Sequence, residues 1–460
     1  MSHQDLGLDC GSVAHGRALR KAVESLGAKA DFRGVTFRED CSWKPMTLMA
    51  AGLLWALSDE ETLVDRFVAA RRITQNAFRV QHDLAGSYQA FTKMLTRWTA
   101  VLIAAWGIAL RNQMEAEFDT YRVAGYIVFG IDGSRVELAR TKSNQQHYCP
   151  LSALGKRRRD RRSRLTKAGR KKANNPQSWI TTMWHVGTSL PWDWRSGRSD
   201  SSERAHLLQM IDSLPTDALV TADAGFVGYE YWKALIDSKH PLVIRVGSNV
   251  KLLKKLGYAR EREGLVYLWP DQVAKRQMPP LVLRLVVVQG DKHPVYLVTS
   301  VLAKGELSDA QVATIYRKRW GIEVFYRSFK QTFRRRKLLA HKAEHARLEL
   351  DWSLVALWSA CFHAQSWLNV PAGRMSVVRV LRSFRHSMHE YRSLPIPDED
   401  LSTRLSLAIM DDNQRADKSS RDYPRKKQET PAGKPTIVRA TRQQIQAAEQ
   451  LKRYNRKKKG

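Results

Sequence analysis

The spacing of apolar and polar positions changes several times along the chain. Residues 1 to about 118 follow a helical rhythm. MTLMAAGLLWAL (46–57) and WTAVLIAAWGIAL (98–110) are apolar cores. SDEETLVDRFVAARR (58–72) opens with a serine cap and acids in its first turn. The apolar run Trp98 to Leu110 lies between Arg97 and Arg111; it is too short to span a bilayer and reads as a buried helix. At GYIVFGIDGSRVELART (125–141) the texture changes. β-branched and aromatic residues lead up to Asp132-Gly133, which predicts strand, turn and strand.

SWITTMWHVGTSLPW (178–192) predicts a return to strand, and SSERAHLLQMIDSLP (201–215) an amphipathic helix with a serine cap. ALVTADAGF (218–226) reads as a strand ending at Asp223, followed by a helix over 228–240. Residues 242 to about 301 are strand-rich. Helix resumes at Ser308, where Gln311 completes a capping box, and DWSLVALWSACFHAQSWL (351–368) is another apolar helix. Two segments cannot pack a core. In KRRRDRRSRLTKAGRKK (156–172) eleven of seventeen residues are Lys or Arg, which predicts a solvated loop able to touch phosphates. The polar tail beyond about 412 is expected to be disordered or to fold on a partner.

Composition narrows the class. With 460 residues, 43% hydrophobic content and 14 tryptophans, the chain can bury a substantial globular core. Lys and Arg number 77 against 45 acids, a net charge of +32 that suits a polyanionic partner. Cys10, Cys41, Cys149 and Cys361 are scattered without CxxC spacing, which points away from a zinc or disulfide framework and toward a reducing compartment. The first residues lack an apolar signal core, so a soluble, cytoplasmic protein with no membrane partner is expected.

Two predicted strand ends carry an aspartate followed by small residues, Asp132 in FGIDGS and Asp223 in TADAGF. Carboxylates on neighbouring strands would make hard oxygen ligands for Mg²⁺. Asp-Gly is also ordinary turn chemistry, and the residues alone leave both readings open. The helix after Ser308 adds a third carboxylate. At about 100° per residue, Tyr316, Arg319, Glu323 and Lys330 share one stripe about 60° wide. Such a stripe suits phosphate contact with one carboxylate free for a metal, but it equally suits surface ion pairs at i,i+4.

Tyr316-x2-Arg319-x3-Glu323-x6-Lys330 resembles the YREK signature of bacterial insertion-sequence transposases with a DDE catalytic core. Asp132 and Asp223 resemble that family's first two acids, in the right order. The resemblance covers about residues 120–370. It implies an α/β, ribonuclease-H-like core with a β-strand insertion, flanked by helical N- and C-terminal regions. The expected divisions are a DNA-binding region at 1–120, a catalytic domain at 121–370 with its insertion at about 241–307, and a helical segment with a basic tail at 371–460.

The same resemblance implies that Asp132, Asp223 and Glu323 bind two Mg²⁺ ions, with Mn²⁺ as a substitute. Tyr316, Arg319 and Lys330 would contact phosphates of double-stranded DNA, at transposon ends and at the target. The insertion looks like that of the hairpin-forming, cut-and-paste branch, in which a 3′-hydroxyl attacks the opposite strand. An aromatic there holds a flipped base; Trp269 is one candidate and Trp320 another, and either could simply be core. The active complex would be a homodimer on DNA, associated with the nucleoid.

Two rival readings remain at this level. A catalytically silent or domesticated DNA-binding protein would have the same charge. HKAEH (341–345) matches the H-x-x-E-H zinc pattern of one metalloprotease group, although a third ligand is not evident.

Overall fold

In a computed structural model, the structure describes residues 20–78, 84, 86–150, 175–290, 293–370, 372–390, 401–409 and 432–457. The basic segment 156–172 lies outside the described residues. After helical residues at 20–27 come α1 (Pro45–Leu57), α2 (Leu63–Ala77) and α3 (Tyr88–Glu117). The cap of α2 is Thr62, whose side chain accepts from the Asp65 N–H; Ser58, the expected cap, instead closes the C-terminus of α1. The apolar run 98–110 sits inside the 30-residue α3, which is long and apolar enough to cross a bilayer by length and composition. Its Leu95, Leu102, Trp106 and Leu110 are buried within the protein core, as befits an internal helix.

The chain then builds a sheet. β1 (Ile127–Glu137), β2 (Gln177–His185) and β3 (Leu190–Gly197) form an antiparallel meander. Next come α4 (Glu203–Leu208), β4 (Ala218–Ala222), α5 (Tyr229–Asp237) and β5 (Leu242–Val246). β4 pairs parallel with β1, and β5 parallel with β4. The order β3-β2-β1-β4-β5, with its antiparallel meander and two parallel strands, is a ribonuclease-H-like core. β4 is buried along its whole length, as expected for a parallel strand covered on both faces.

β6 (Lys251–Lys254), β7 (Leu265–Leu268), β8 (Leu281–Val288) and β9 (Val295–Thr299) follow. They do not fold back on themselves as a separate unit. β9 pairs antiparallel with β5, so the extra strands continue the same sheet. β5, within the stretch 241–307, pairs parallel with β4, and β6 to β9 extend the sheet beyond it.

The helical stretch after Ser308 is interrupted. It divides into α6 (Asp309–Lys318), α7 (Gly321–Arg327) and a π turn at Ser328–Thr332. A uniform step of about 100° per residue therefore does not hold from Tyr316 to Lys330. α8 (Ala343–Leu368) and α9 (Val377–Glu390) complete the helical layer. Two indole hydrogen bonds join α8 to α3: Trp352 donates to Thr99 at 2.8 Å and Trp106 donates to Ser359 at 2.8 Å. The Trp352 ring lies so close to Gly52 of α1 that a Cβ there would be 2.2 Å from it. The N-terminal helices thus share a core with α8.

The tail is another departure from expectation. Thr436–Arg439 forms β10, parallel to β6 at the sheet edge, and α10 (Arg442–Lys457) follows it. Composition alone hid this, because the apolar contribution is confined to a few residues such as Ala440, Ala448 and Leu451. Residues 410–431, the other part of that tail, lie outside the described residues.

Candidate active site

Asp132 is not at a strand end. β1 runs through Asp132-Gly133, where Asp132 lies opposite Thr182 and Gly133 opposite Thr181 of β2. The pairing partner supplied by β2 keeps the Asp-Gly pair extended, so the expected turn does not form. β4 does end where predicted. Ile131 pairs with Ala222, which makes Asp132 and Asp223 the next residues along two adjacent parallel strands. Asp223 turns out of the sheet, and its Oδ1 accepts from the Gly225 N–H at 2.8 Å.

Burial pushes the Asp132 carboxyl up to about 7; the charges of Asp223 and Glu203 reinforce this, while the Gly133 N–H and Arg319 oppose it. Glu323 arrives from α7, where Arg319 Nη2 holds its Oε1 at 3.1 Å. Arg319 is only 6% exposed, so this is not a solvated pair on a helix face. Its stem lies over Gly130 of β1, and its guanidinium sits 5.3 Å from the Tyr316 ring centroid. Burial works against the Arg319 charge, yet Tyr316, Glu323, Asp132 and Asp223 together hold its pKa above the usual arginine value. Arg319 Nε is buried without a hydrogen-bond partner among the described residues.

Lys330, on the π turn, donates to Ser134 Oγ of β1 at 2.5 Å. Burial lowers its pKa, and Arg336 adds to this, while Asp132 and Glu137 oppose both. Tyr316, Arg319, Glu323 and Lys330 therefore face the β1–β4 region by a broken helical path.

The two aromatic candidates separate. Trp269 is 4% exposed, and its indole N–H donates to the Met278 carbonyl at 2.9 Å. The ring directly follows β7 and is enclosed in the core, the alternative to a stacking role for this residue. Trp320 is 55% exposed, between Arg319 and Gly321. The HKAEH pair also separates. α8 begins at Ala343 after Lys342, so His341 precedes the helix and does not pair with His345 along one face.

Two contributors escaped the sequence reading. Tyr326 is buried, and its hydroxyl lies 2.9 Å from both the Asp132 carbonyl oxygen and Thr182 Oγ1. It ties α7 to β1. Glu203 opens α4, with its carboxyl directly over Gly133. A glutamate after a serine cap looks like routine helix-start chemistry, so nothing in the pattern distinguished it.

Aspartate and glutamate oxygens are the hard donors that Mg²⁺ and Mn²⁺ prefer, and Asp132 and Asp223 stand together on a rigid sheet, so the donor set fits such ions. As arranged, with Glu323 engaged by Arg319, no group of three or more acidic, His or Cys side chains among the described residues is poised to hold a metal.

The sheet is ribonuclease-H-like and carries adjacent acids on β1 and after β4. The chain belongs to the family described as "Transposase DDE domain", which it matches over residues 124–359, just over half its length. It is similar to "Transposase InsG for insertion sequence element IS4" of Escherichia coli (strain K12), 25% identical over 172 residues, or 35% of this chain and 38% of that one. It is also similar to "Putative transposase y4zB" of Sinorhizobium fredii (strain NBRC 101917 / NGR234), 25% identical over 152 residues, or 31% of this chain and 42% of that one. The matches thus span less than half the length of either relative. A solved piggyBac transposase synaptic complex with hairpin DNA aligns over 90% of this chain and 89% of its own, at 12% identity and a TM-score of 0.39, too low to add to the assignment.

Proposed function

We propose that the chain is an active transposase, which binds the ends of its insertion sequence, cleaves DNA strands there and joins them to target DNA. One observation carries this reading: Asp132 and Asp223 lie side by side on parallel strands, with Arg319 and Glu323 over them. Asp132, Asp223 and Glu323 would hold two Mg²⁺ or Mn²⁺ ions. When bound, such ions activate a water or 3′-hydroxyl and stabilise the leaving oxygen of a phosphodiester.

The protein's own groups have distinct tasks in this reading. Arg319 keeps Glu323 oriented until a cation replaces it. Tyr316, Arg319 and Lys330 hold backbone phosphates, and exposed Trp320 stacks on a displaced base. Tyr326 fixes the distance between α7 and β1. The helices before residue 120 and the basic residues beyond 371 supply further contacts to DNA, as the net charge of +32 favours. The strands between Asp223 and Glu323 support cleavage through a hairpin, with two copies of the chain bridging the DNA ends in the cytoplasm at the nucleoid.

The test uses DNA from either side of the coding sequence, including its inverted repeats. Asp132→Asn, Asp223→Asn and Glu323→Gln should each abolish strand cleavage in Mg²⁺ while leaving end binding within a few-fold of wild type. Full cleavage by any one of them sinks the reading. Wild-type protein that binds these ends but cuts in neither Mg²⁺ nor Mn²⁺ would instead indicate a silent, DNA-binding descendant.

A further inference from the structure

Glu203 stands in a place that the sheet has been shaped to receive. A Cβ built on Gly133 would lie 2.1 Å from Glu203 Oε1, 2.6 Å from its Cδ and 2.7 Å from its Cγ. A methyl at this position would meet the carboxyl end of Glu203, which would have to swing aside. The helix that bears Glu203 is anchored on two sides. Arg204 donates to the Gly225 carbonyl through both Nε and Nη2, at 3.2 and 2.9 Å, which ties α4 to the loop following Asp223. His206 Nδ1 lies 2.9 Å from Thr181 Oγ1 of β2, the residue opposite Gly133. The helix is thus fixed between the loop after Asp223 and β2, the strand beside Asp132.

Its surroundings do not explain it as a structural group. Among the described residues Glu203 makes no hydrogen bond through its carboxylate and no salt bridge, although Arg204 and Arg135 are near enough to moderate its charge. Burial and the charge of Asp223 both disfavour its ionised form, and Glu203 in turn acts on Asp132. A half-buried carboxylate within electrostatic reach of two others is an arrangement that a cation relieves.

We propose that Glu203 is a further carboxylate of the metal centre, reaching over Gly133 to supply an oxygen to the divalent cation that Asp132 and Asp223 hold. This rests on the active-site reading above and adds to its three acids a fourth, from α4.

The experiment measures Mn²⁺ binding to the full chain by calorimetry, without DNA, and maps backbone cuts made by Fe²⁺ and peroxide by mass spectrometry. Glu203→Gln keeps the shape and removes the charge; Gly133→Ala keeps the charge and displaces the carboxyl. Both should raise the Mn²⁺ Kd about tenfold, the scale of losing one supporting group, and both should weaken the cuts near Gly133 and Asp223. Circular dichroism confirms that each variant is folded. If both variants keep wild-type affinity and cuts while Asp132→Asn loses them, Glu203 is not a ligand and the proposed active site stands without it. If Asp132→Asn also binds like wild type, the active-site reading falls, and the role of Glu203 falls with it.

Discussion

Arg319 holds Glu323 at 3.1 Å, and its charge also acts on Asp132 and Asp223. One arginine therefore serves as the cation for three carboxylates. A divalent metal would compete for the same charges. In Arg319→Ala, Mn²⁺ should raise the melting temperature by several degrees more than in wild type, because binding to the folded state stabilises it in proportion to affinity. Equal shifts in the two proteins would show that Arg319 and the metal do not exchange.

Tyr326 makes a second prediction. Its hydroxyl lies 2.9 Å from the Asp132 carbonyl oxygen and from Thr182 Oγ1, in a buried position. Tyr326→Phe should lower unfolding free energy by about 1–3 kcal/mol, the cost of buried polar groups left unmatched, as read by urea denaturation. It should also slow cleavage without changing DNA affinity. Unchanged stability would mean that the hydroxyl is dispensable to the α7–β1 contact.

Glu349 supports a different part of the molecule. It is 2% exposed, accepts from the Leu339 and Ala340 N–H groups at 2.9 and 3.0 Å, and pairs with Arg66 at 3.5 Å. Beside it, burial brings fully enclosed Arg335 down to about 9, the charge of Arg66 adding to this and Glu349 opposing it. Glu349→Gln should cost about 3–5 kcal/mol, since it leaves buried guanidinium groups without their counter-charge. A loss under about 1 kcal/mol in urea denaturation would place the pair among weakly coupled surface bridges.

His185 gives a pH dependence with a definite sign. Burial holds its pKa down to about 3, and its Nδ1 accepts from the Thr188 N–H at 3.1 Å. The unfolded chain takes up a proton near 6.5 that the folded chain refuses, so stability is lost as pH falls below that value. Asp132 works in the opposite direction: its raised pKa makes the folded state hold a proton that the unfolded state has released, so acid favours folding there. Comparing wild type with His185→Gln cancels the Asp132 contribution. Between pH 7 and pH 5, wild type should lose stability relative to the variant by up to about 1.4 kcal/mol per pH unit below 6.5. A pH-independent difference would mean that His185 becomes charged within the fold.

Much of the site was legible because its chemistry is carried by spacing. Asp223 ends an apolar run that could only be a covered strand, and Tyr316, Arg319, Glu323 and Lys330 keep a fixed separation in the chain whatever path the helix takes. Other features depend on partners distant in sequence. Asp132-Gly133 reads as a turn until β2 is laid beside it, and the space that Gly133 leaves is visible only once α4 covers it. The π turn at Ser328–Thr332 has no signature in residue type, and Trp269 could face either way until β8 packed against β7. β10 was hidden by the polar composition around it, because its place in the sheet comes from pairing with β6.

The parallel alignment of Ile131 with Ala222 also sets how this chain can change in length. Side chains along a strand alternate between faces, so losing one residue between Ile127 and Ile131 would turn Asp132 to the far side of the sheet. The same loss in a connection between strands would leave both aspartates where they are. Related genes that have drifted by insertion and deletion can therefore be divided by where their gaps fall: a gap within β1 marks a copy that has lost the aspartate pair, while a gap in a loop is silent.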